Sequence, residues 1–575
     1  MSNESTAPAP ATTPPPTTPA TRPWGVLLNS VIVMIGFVLS RLLGLVRDSI
    51  FANYFGTSAV SDAYRVAFQL PDLLYLVIIG GALGSAFIPI FSEAYTKDNH
   101  ERAWQITRSV VNIALVALVA VSAIIALLAD PLIGAFYPAY TPEHHALTVY
   151  LTRLFLLSPL LLGLGGLAMA TLNALDRFTL PALAPAIYNL SIIGGIVGLA
   201  PLMGANGWAR YEAGIAVQDN GRAFSIEGVA WGVVIGAGLY LLLQLPGVWR
   251  AGFRYRLQFG WRDSAVRRIG KLMAPRVFGQ AAMQINIIVM AIIASPLGDG
   301  RVTALNNGYQ LMLLPHGIFA LSLGTVMFPK LSRLYAAADM AEFGATMRST
   351  LRNVLWTVLP AAVGLALLSV PMVRLLFQRG EFDSESTALV SRALILYATA
   401  LPAFAVSEIL IRAFYAMQDT KTPVLAGLLT IGINIALAFL FVNVLGLDHA
   451  ALAGAFSITN NLEALLLLAW MRRRMGGLDP DGRLGRSVRR ALLGAAAMGG
   501  ALAAIGLASA SRYPFLYYAN QPYDGRGADV RLLFAWLAGV IMVAAGVYVG
   551  LAFAQGAEEL TVWRERLLRR RGRSG

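Results

Sequence analysis

Gly84-Ser85-Ala86-Phe87-Ile88-Pro89-Ile90-Phe91-Ser92 returns about 240 residues later as Gly324-Thr325-Val326-Met327-Phe328-Pro329-Lys330-Leu331-Ser332, with Tyr95 and Tyr335 following in step. The register holds beyond the motif. Arg108-Ser109 falls on Arg348-Ser349 and Pro131 on Pro371, while Asn173-Ala174 with Pro181 shifts by two places onto Tyr415-Ala416 with Pro423. In an apolar chain, this period predicts two copies of one helical unit. Paired repeats of this kind hold a substrate site between them near the bilayer midplane, so the duplication points to a transporter.

The 575 residues are 57% hydrophobic and 13% charged, with a mean hydropathy of +0.63. This composition excludes a soluble protein. Apolar runs of about 20 residues, enough to span ~30 Å of hydrocarbon, recur along the chain and should be helices, because lipid leaves no partner for an open backbone. The expected fold is an all-α polytopic membrane protein of about fourteen spans. Residues 1–23 are a Pro/Thr/Ala-rich disordered tail; 24–250 form a six-helix N-lobe, 251–475 a six-helix C-lobe, 476–556 two further helices and 557–575 a basic tail. Pro71 and Pro315 are expected to bend their helices. The first span is expected to be an anchor rather than a removable signal. With no cysteine, disulfides and thiolate chemistry are excluded.

The net charge of +14 sits where membrane topology needs it. Arg250, Arg254, Arg256, Arg262, Arg267, Arg268 and Lys271 follow span six; Arg472, Arg473, Arg474, Arg483, Arg486, Arg489 and Arg490 follow span twelve; further arginines fill the tail. With fourteen spans all three groups share one side, so the positive-inside rule predicts cytoplasmic termini, and nucleic acid is not needed to explain the charge.

Polar groups inside spans are costly and mark function. Span one carries Arg41, Arg47 and Asp48; span two carries Asp62, Arg65, Gln69 and Asp72 on one stripe. Span seven carries Arg276, Gln280 and Gln284 at four-residue spacing, and span eight Asn306, Asn307, Gln310 and then His316. Spans seven and eight are the repeat counterparts of one and two, so the stripes can face each other across a hydrated cavity. Its arginines outnumber its aspartates, and guanidinium suits phosphate. The bland readings are interlobe ion pairs or snorkelling at the interface, pairing within one helix of Arg65 with Asp62 and of Arg412 with Glu408, and a packed His316. No metal-ligand spacing, nucleotide loop or catalytic triad stands out.

At these residues the chain resembles a known family. Ser40-Arg41-Leu42-Leu43-Gly44-Leu45-Val46-Arg47-Asp48, Asp62-Ala63, Leu70-Pro71-Asp72-Leu73-Leu74 and Ala86-Phe87-Ile88-Pro89 resemble the MurJ/MviN lipid II flippases. So do Arg379-Gly380-Glu381-Phe382 and Phe414-Tyr415-Ala416-Met417-Gln418-Asp419-Thr420-Lys421-Thr422-Pro423. The resemblance implies the multidrug/oligosaccharidyl-lipid/polysaccharide exporter fold, export of an undecaprenyl-diphosphate-linked peptidoglycan precursor, and functional roles for Arg41, Arg47, Asp48 and Asp62. Three positions depart from it: Tyr75 and Gln310 stand where relatives carry arginine, and Gly80 where they carry glutamate. Arg65 and Arg276 are expected to replace the missing charge.

The expected function is flipping of lipid II by alternating access in the bacterial cytoplasmic membrane, for cell-wall biosynthesis, with no enzymatic step. The candidate substrate-binding residues are Arg41, Arg47, Asp48, Asp62, Arg65, Arg276, Gln280 and Gln310. The expected partners are lipid II, membrane lipids and a coupling ion, with no nucleic acid and no cofactor, acting on a monomer. Moving one negative charge outward down an inside-negative potential releases ~2.3 kcal/mol per 100 mV, so voltage can push a diphosphate, with an ion antiport step as the open alternative. Alternatives are an exporter of another polyprenyl-diphosphate-linked oligosaccharide, a multidrug exporter of the same superfamily, which would favour acidic residues, and a scaffold for cell-wall enzymes, which needs no cavity.

Overall fold

The computed structural model describes residues 23–77, 86–96, 100–217, 221–516, 518–519, 521, 523 and 527–557; the side chains of 23–34, 37, 274–276 and 278–280 lie outside that description. The expected tails at 1–23 and 557–575 fall almost wholly outside it, as do Gly80 and the start of the first repeat motif, Gly84-Ser85.

The first half of the chain forms α1 (Pro23–Phe55), α2 (Ala59–Tyr75), α3 (Ile88–Thr96), α4 (His100–Phe136), α5 (Pro142–Phe155), α6 (Leu157–Ala174), α7 (Thr179–Gly194), α8 (Ala200–Ala205) and α9 (Ile226–Arg250). The second forms α10 (Ser264–Ala294), α11 (Arg301–Pro315), α12 (Ser322–Ala336), α13 (Met340–Leu367), α14 (Ser369–Phe377), α15 (Ser384–Ala416), α16 (Lys421–Phe439) and α17 (Ala450–Arg474). Two more, α18 (Arg483–Ala510) and α19 (Gly527–Ala554), follow.

The duplication is written into the helix ends. α4 starts at His100 and α13 at Met340; α5 starts at Pro142 and α15 at Ser384; α7 starts at Thr179 and α16 at Lys421. Equivalent starts carry equivalent caps: Thr141 accepts from His144 N ahead of α5, and Asp383 from Ser386 N ahead of α15, each satisfying an orphan amide of the first turn. A π-helical turn at Gly195–Leu199 continues α7, and one at Leu440–Val444 continues α16. A third, His316–Leu321, follows Pro315, where the missing amide hydrogen interrupts the helical ladder.

Eleven helical segments among the described residues are long and apolar enough to cross a membrane. The other expected spans are α1, α2 with α3, and α10, which carry the polar stripes. Among the described residues the one departure from an all-helical reading is a short antiparallel pair, β1 (Ile215–Val217) and β2 (Ala223–Ser225), between α8 and α9. Nearby, the buried Glu227 accepts from the backbone amides of Arg210 and Tyr211 at 2.7 and 2.9 Å, anchoring this loop on α9.

The apolar interior of the second half gathers Leu311, Val390, Leu394, Leu410 and Phe414, and separate clusters fill the first half. α18 and α19 pack on α13 through a fourth cluster. The small residues of α18 serve that packing: a Cβ at Gly494 would meet the ring of Tyr548 on α19 at 2.9 Å, and one at Gly499 would meet Val363 on α13 at 3.0 Å. Tyr548 also donates to Trp356 O at 2.7 Å. Arg374 on α14 is fully buried, and its Nη2 reaches the carbonyls of Tyr518, Ala519 and Gln521 at 2.8–2.9 Å, tying α14 to the α18–α19 connection. Nothing in the sequence pattern marked Arg374.

Candidate substrate cavity

Arg250 and Arg474, at the ends of α9 and α17, define an arginine-rich end of the molecule. At the opposite end the two halves are sealed against each other. Asp62 near the start of α2 accepts from Gly300 N (2.8 Å), Thr303 N (2.8 Å) and Thr303 Oγ1 (2.6 Å), so a side chain of one half caps α11 of the other. The arrangement is favourable because α11 has no cap from its own Gly300, and a carboxylate suits the positive end of a helix. Glu381 N donates to Asn53 O at 3.0 Å, Thr57 Oγ1 to Ser386 Oγ at 2.7 Å, and Ser49 Oγ to Leu376 O. Three glycines make this approach possible. Gly56, Gly300 and Gly380 all have positive φ (57°, 78° and 56°), and a Cβ on each would collide with the carbonyl oxygen of Glu381, Thr57 and Asn53 respectively, all in the facing half.

Two linked cavities lie between the seal and the arginine-rich end. The nearer, of 440 Å³, is bordered by Phe51, Tyr64, Arg65, Asp72, Gln284 and Asn306 among others. The farther, of 670 Å³, is bordered by Ser40, Arg41, Asn173, Asn189, Leu314 and Phe377 among others. Arg47, Asp48 and Gln310 border both.

Arg47 donates through Nε and Nη2 to Asp48 Oδ1 at 3.1 and 2.9 Å, and through Nη1 to Asn189 Oδ1 at 3.0 Å. Asn189 is in turn held by donating to Pro185 O at 3.0 Å and Ser40 O at 3.3 Å. Thus Asp48 pairs with its neighbour Arg47 and not with Arg41 two turns away, and among the described residues Arg41 has no carboxylate partner. Arg65 crosses to the other half, where Nη2 lies 3.4 Å from Asn307 Oδ1, and its guanidinium sits over Phe51 at 5.4 Å. It does not pair with Asp62, whose oxygens are occupied by α11.

Six of the eight candidate residues are therefore described. Arg41, Arg47, Asp48, Arg65 and Gln310 border the cavities; Asp62 borders neither and belongs to the seal. Arg276 and Gln280 lie on α10, but their side chains are outside the described residues. Tyr75 borders neither cavity and packs against the first half's apolar cluster. Arg412 pairs with Glu408 at 2.7 Å and reaches Thr325 Oγ1 at 3.2 Å, and His316 is buried beside Phe404, with ring centroids 4.5 Å apart.

Asn189 is the residue that pattern reading missed. Its signal was available: it is a polar residue in an apolar span, and the duplication repeats its setting. In the second half Asn434 of α16 donates to Asn286 of α10 at 3.0 Å, as Asn189 of α7 engages Arg47 of α1. The pairs occupy equivalent helices, one charged and one neutral.

Among the described residues, three guanidinium groups against two carboxylates border the cavities, Arg41, Arg47 and Arg65 against Asp48 and Asp72. An intramembrane space of this kind, between two repeated helical bundles and closed at one end, defines a membrane transporter. The lipid II flippase MurJ family model matches residues 51–518. The chain is 30% identical over 455 residues to the lipid II flippase MurJ of Burkholderia cenocepacia, covering 78% of this chain and 84% of that protein. It is also 30% identical to the probable lipid II flippase MurJ of Vibrio cholerae, covering 76% and 82%. Among solved structures, a lipid II flippase MurJ in an inward closed conformation superposes with a TM-score of 0.71 at 24% identity, covering 94% of this chain and all of that one. An inward-facing multidrug MATE transporter superposes at 0.61 and 14% identity, covering 78% and 99%. The chain belongs to the lipid II flippase MurJ family.

Proposed function

We propose that this protein carries lipid II from the cytoplasmic to the outer leaflet of a bacterial cytoplasmic membrane, with both termini in the cytoplasm, residues 24–250 and 251–475 acting as two lobes, and 476–556 as an added helix pair. The observation that carries this reading is the cavity bordered by Arg41, Arg47 and Arg65, with a seal at the end away from the arginine-rich segments. A diphosphate entering from the cytoplasm meets paired guanidinium donors in a space of low dielectric, where charge-assisted hydrogen bonds are strong. The prenyl chain stays in lipid. Opening the seal while closing the arginine-rich end would then expose the headgroup on the far side.

Arg47 is held in place by Asp48 and Asn189, which reduces the ordering needed on binding. Arg41 and Arg65 supply the remaining positive charge, from the first half. Gln310 borders both cavities and offers a neutral donor. Net movement of the anionic headgroup outward is favoured by an inside-negative potential.

The test is complementation. Expression in cells depleted of their own lipid II flippase should restore growth and cell shape, and the Arg41→Ala/Arg47→Ala variant should not, at equal membrane abundance. Failure of the unaltered protein to restore growth, with normal abundance, would refute the substrate assignment.

A further inference from the structure

Between Arg250 and Asp263 the chain runs extended and non-helical from α9 to α10, strapped across the start of α4. Arg108 Nε donates to Arg254 O at 2.9 Å; Asn112 Nδ2 donates to Arg256 O and Gln258 O at 2.9 and 3.0 Å; Arg102 pairs with Asp263 at 2.6 Å. Phe253 is buried against Trp104, with rings 5.8 Å apart. Apart from Phe253 and Asp263, these contacts use the backbone of the strap and leave its other large side chains outside. Trp249, Tyr255, Leu257, Phe259 and Trp261 are all exposed, Leu257 to 74%, and the rings of Phe259 and Trp261 stack at 5.9 Å. Arg250, Arg254, Arg256 and Arg262 are exposed among them.

An exposed row of this kind is costly in water, at about 25 cal/mol per Å² of apolar surface. Its height in the molecule supplies a different solvent. The strap meets α4 at Asn112, one turn before the face on which Val116, Val119, Ile124, Leu127 and Leu128 are exposed. That face belongs to the most apolar of the spanning segments and must lie in hydrocarbon. The strap therefore lies at the edge of the hydrocarbon, the depth at which Trp and Tyr rings are favoured because one end of the ring is apolar and the other wet. Interleaved arginines at that depth complement the phosphates of anionic lipids, each contributing about fivefold in affinity for such a surface.

We propose that residues 249–262 are a membrane-interface anchor, with the Tyr255–Trp261 row seated among the headgroups and acyl boundary of the leaflet at the arginine-rich end, and Arg250, Arg254, Arg256 and Arg262 holding anionic phospholipid there. Because this strap is the covalent link between the halves, the anchor fixes their junction to the leaflet, where Ile269 of α10 is also buried in the first half's apolar cluster. The proposal needs only the level of the membrane edge, and stands apart from which substrate the cavity carries.

The absence of native cysteine makes the test direct. The full chain carrying Leu257→Cys, and separately Asp481→Cys in the exposed connection between α17 and α18, is spin-labelled in nanodiscs of zwitterionic lipid with and without phosphatidylglycerol. The label at 257 should collide with oxygen more than with a water-soluble nickel chelate, and broaden with nickel-bearing headgroups; the label at 481 should do the reverse. Arg254→Gln/Arg262→Gln should lose phosphatidylglycerol enrichment by about fivefold per charge removed. The proposal is overturned if the 257 label is as open to the chelate as the 481 label, if it is shielded from both collision partners as a protein-covered site would be, or if the double variant keeps its lipid enrichment.

Discussion

Asp62 and Thr303 meet across the boundary between the two halves, the carboxylate accepting from both the amide and the hydroxyl of Thr303 at 2.8 and 2.6 Å. A hydrogen bond to a charged group contributes about 1.5–3 kcal/mol. Asp62→Ala should therefore weaken the seal by roughly tenfold or more in its opening equilibrium. With a single cysteine at Leu305, which borders the cavity just beneath the seal, an impermeant maleimide added from the sealed side should label the Asp62→Ala background faster than the parent. Equal labelling rates would remove Asp62 from the seal.

The three glycines of the seal give a second expectation. Gly300→Ala places a methyl group against Thr57 O in a backbone region that disfavours side chains, so the closed arrangement is penalised twice. Gly446 also has a positive φ, 65°, but a Cβ there would meet nothing within 4 Å. Gly300→Ala should abolish complementation at near-normal membrane abundance, while Gly446→Ala, carrying the strain without the collision, should complement. Loss in both would assign the effect to backbone strain alone.

Arg65 reaches Asn307, one helical turn from Gln310, and this defines a test of charge replacement. Arg65→Ala should reduce transport about tenfold, the loss of one charge-assisted contact. Gln310→Arg added to it should recover part of that loss, because Gln310 borders both cavities; Tyr75→Arg should recover less, since Tyr75 borders neither. Transport rates in reconstituted vesicles distinguish these outcomes. A Tyr75→Arg rescue equal to that of Gln310→Arg would show that position in the cavity does not matter.

The stripes and the repeat were legible because each follows from a rule that acts locally: polar groups avoid lipid, and a duplicated unit repeats its helix starts. Arg41, Arg47, Asp48, Arg65 and Gln310, which border the two linked cavities, could thus be singled out from spacing. Partner choice was not legible. Helical spacing offers Arg65 to Asp62, yet the start of α11, 238 residues away in sequence, supplies three better donors to that carboxylate. Asn189 and Arg374 were missed for the same reason, since what holds a lone polar residue in an apolar span comes from elsewhere in the chain. The Asn286–Asn434 contact indicates how the first could have been found, by carrying the repeat register through every intramembrane asparagine.

Asp419 links α15 to α16 at the arginine-rich end, outside the spans. Burial pushes its carboxyl up, but hydrogen bonds from Thr422 and the Arg474 guanidinium at 2.6 Å outweigh this and hold it below its ordinary value of 3.8. A depressed carboxyl contributes stability that is present above the ordinary value and is lost as pH falls through the lowered one. Thermal stability of the purified protein should decline below about pH 4, and Asp419→Asn should flatten that decline while lowering stability at neutral pH. Because the Arg474 side chain is half exposed and screened by solvent, the effect should be small. An unchanged acid limb in Asp419→Asn would place the acid sensitivity elsewhere.

The central claim is that the arginines of the closed-ended cavity move a lipid-linked diphosphate across the bilayer. It is tested most directly by reconstituting the purified protein in vesicles with fluorescent lipid II in one leaflet and following its appearance in the other. Translocation should depend on the protein and be lost in Arg41→Ala/Arg47→Ala while the variant stays folded. Translocation at the parent rate in that variant would contradict it.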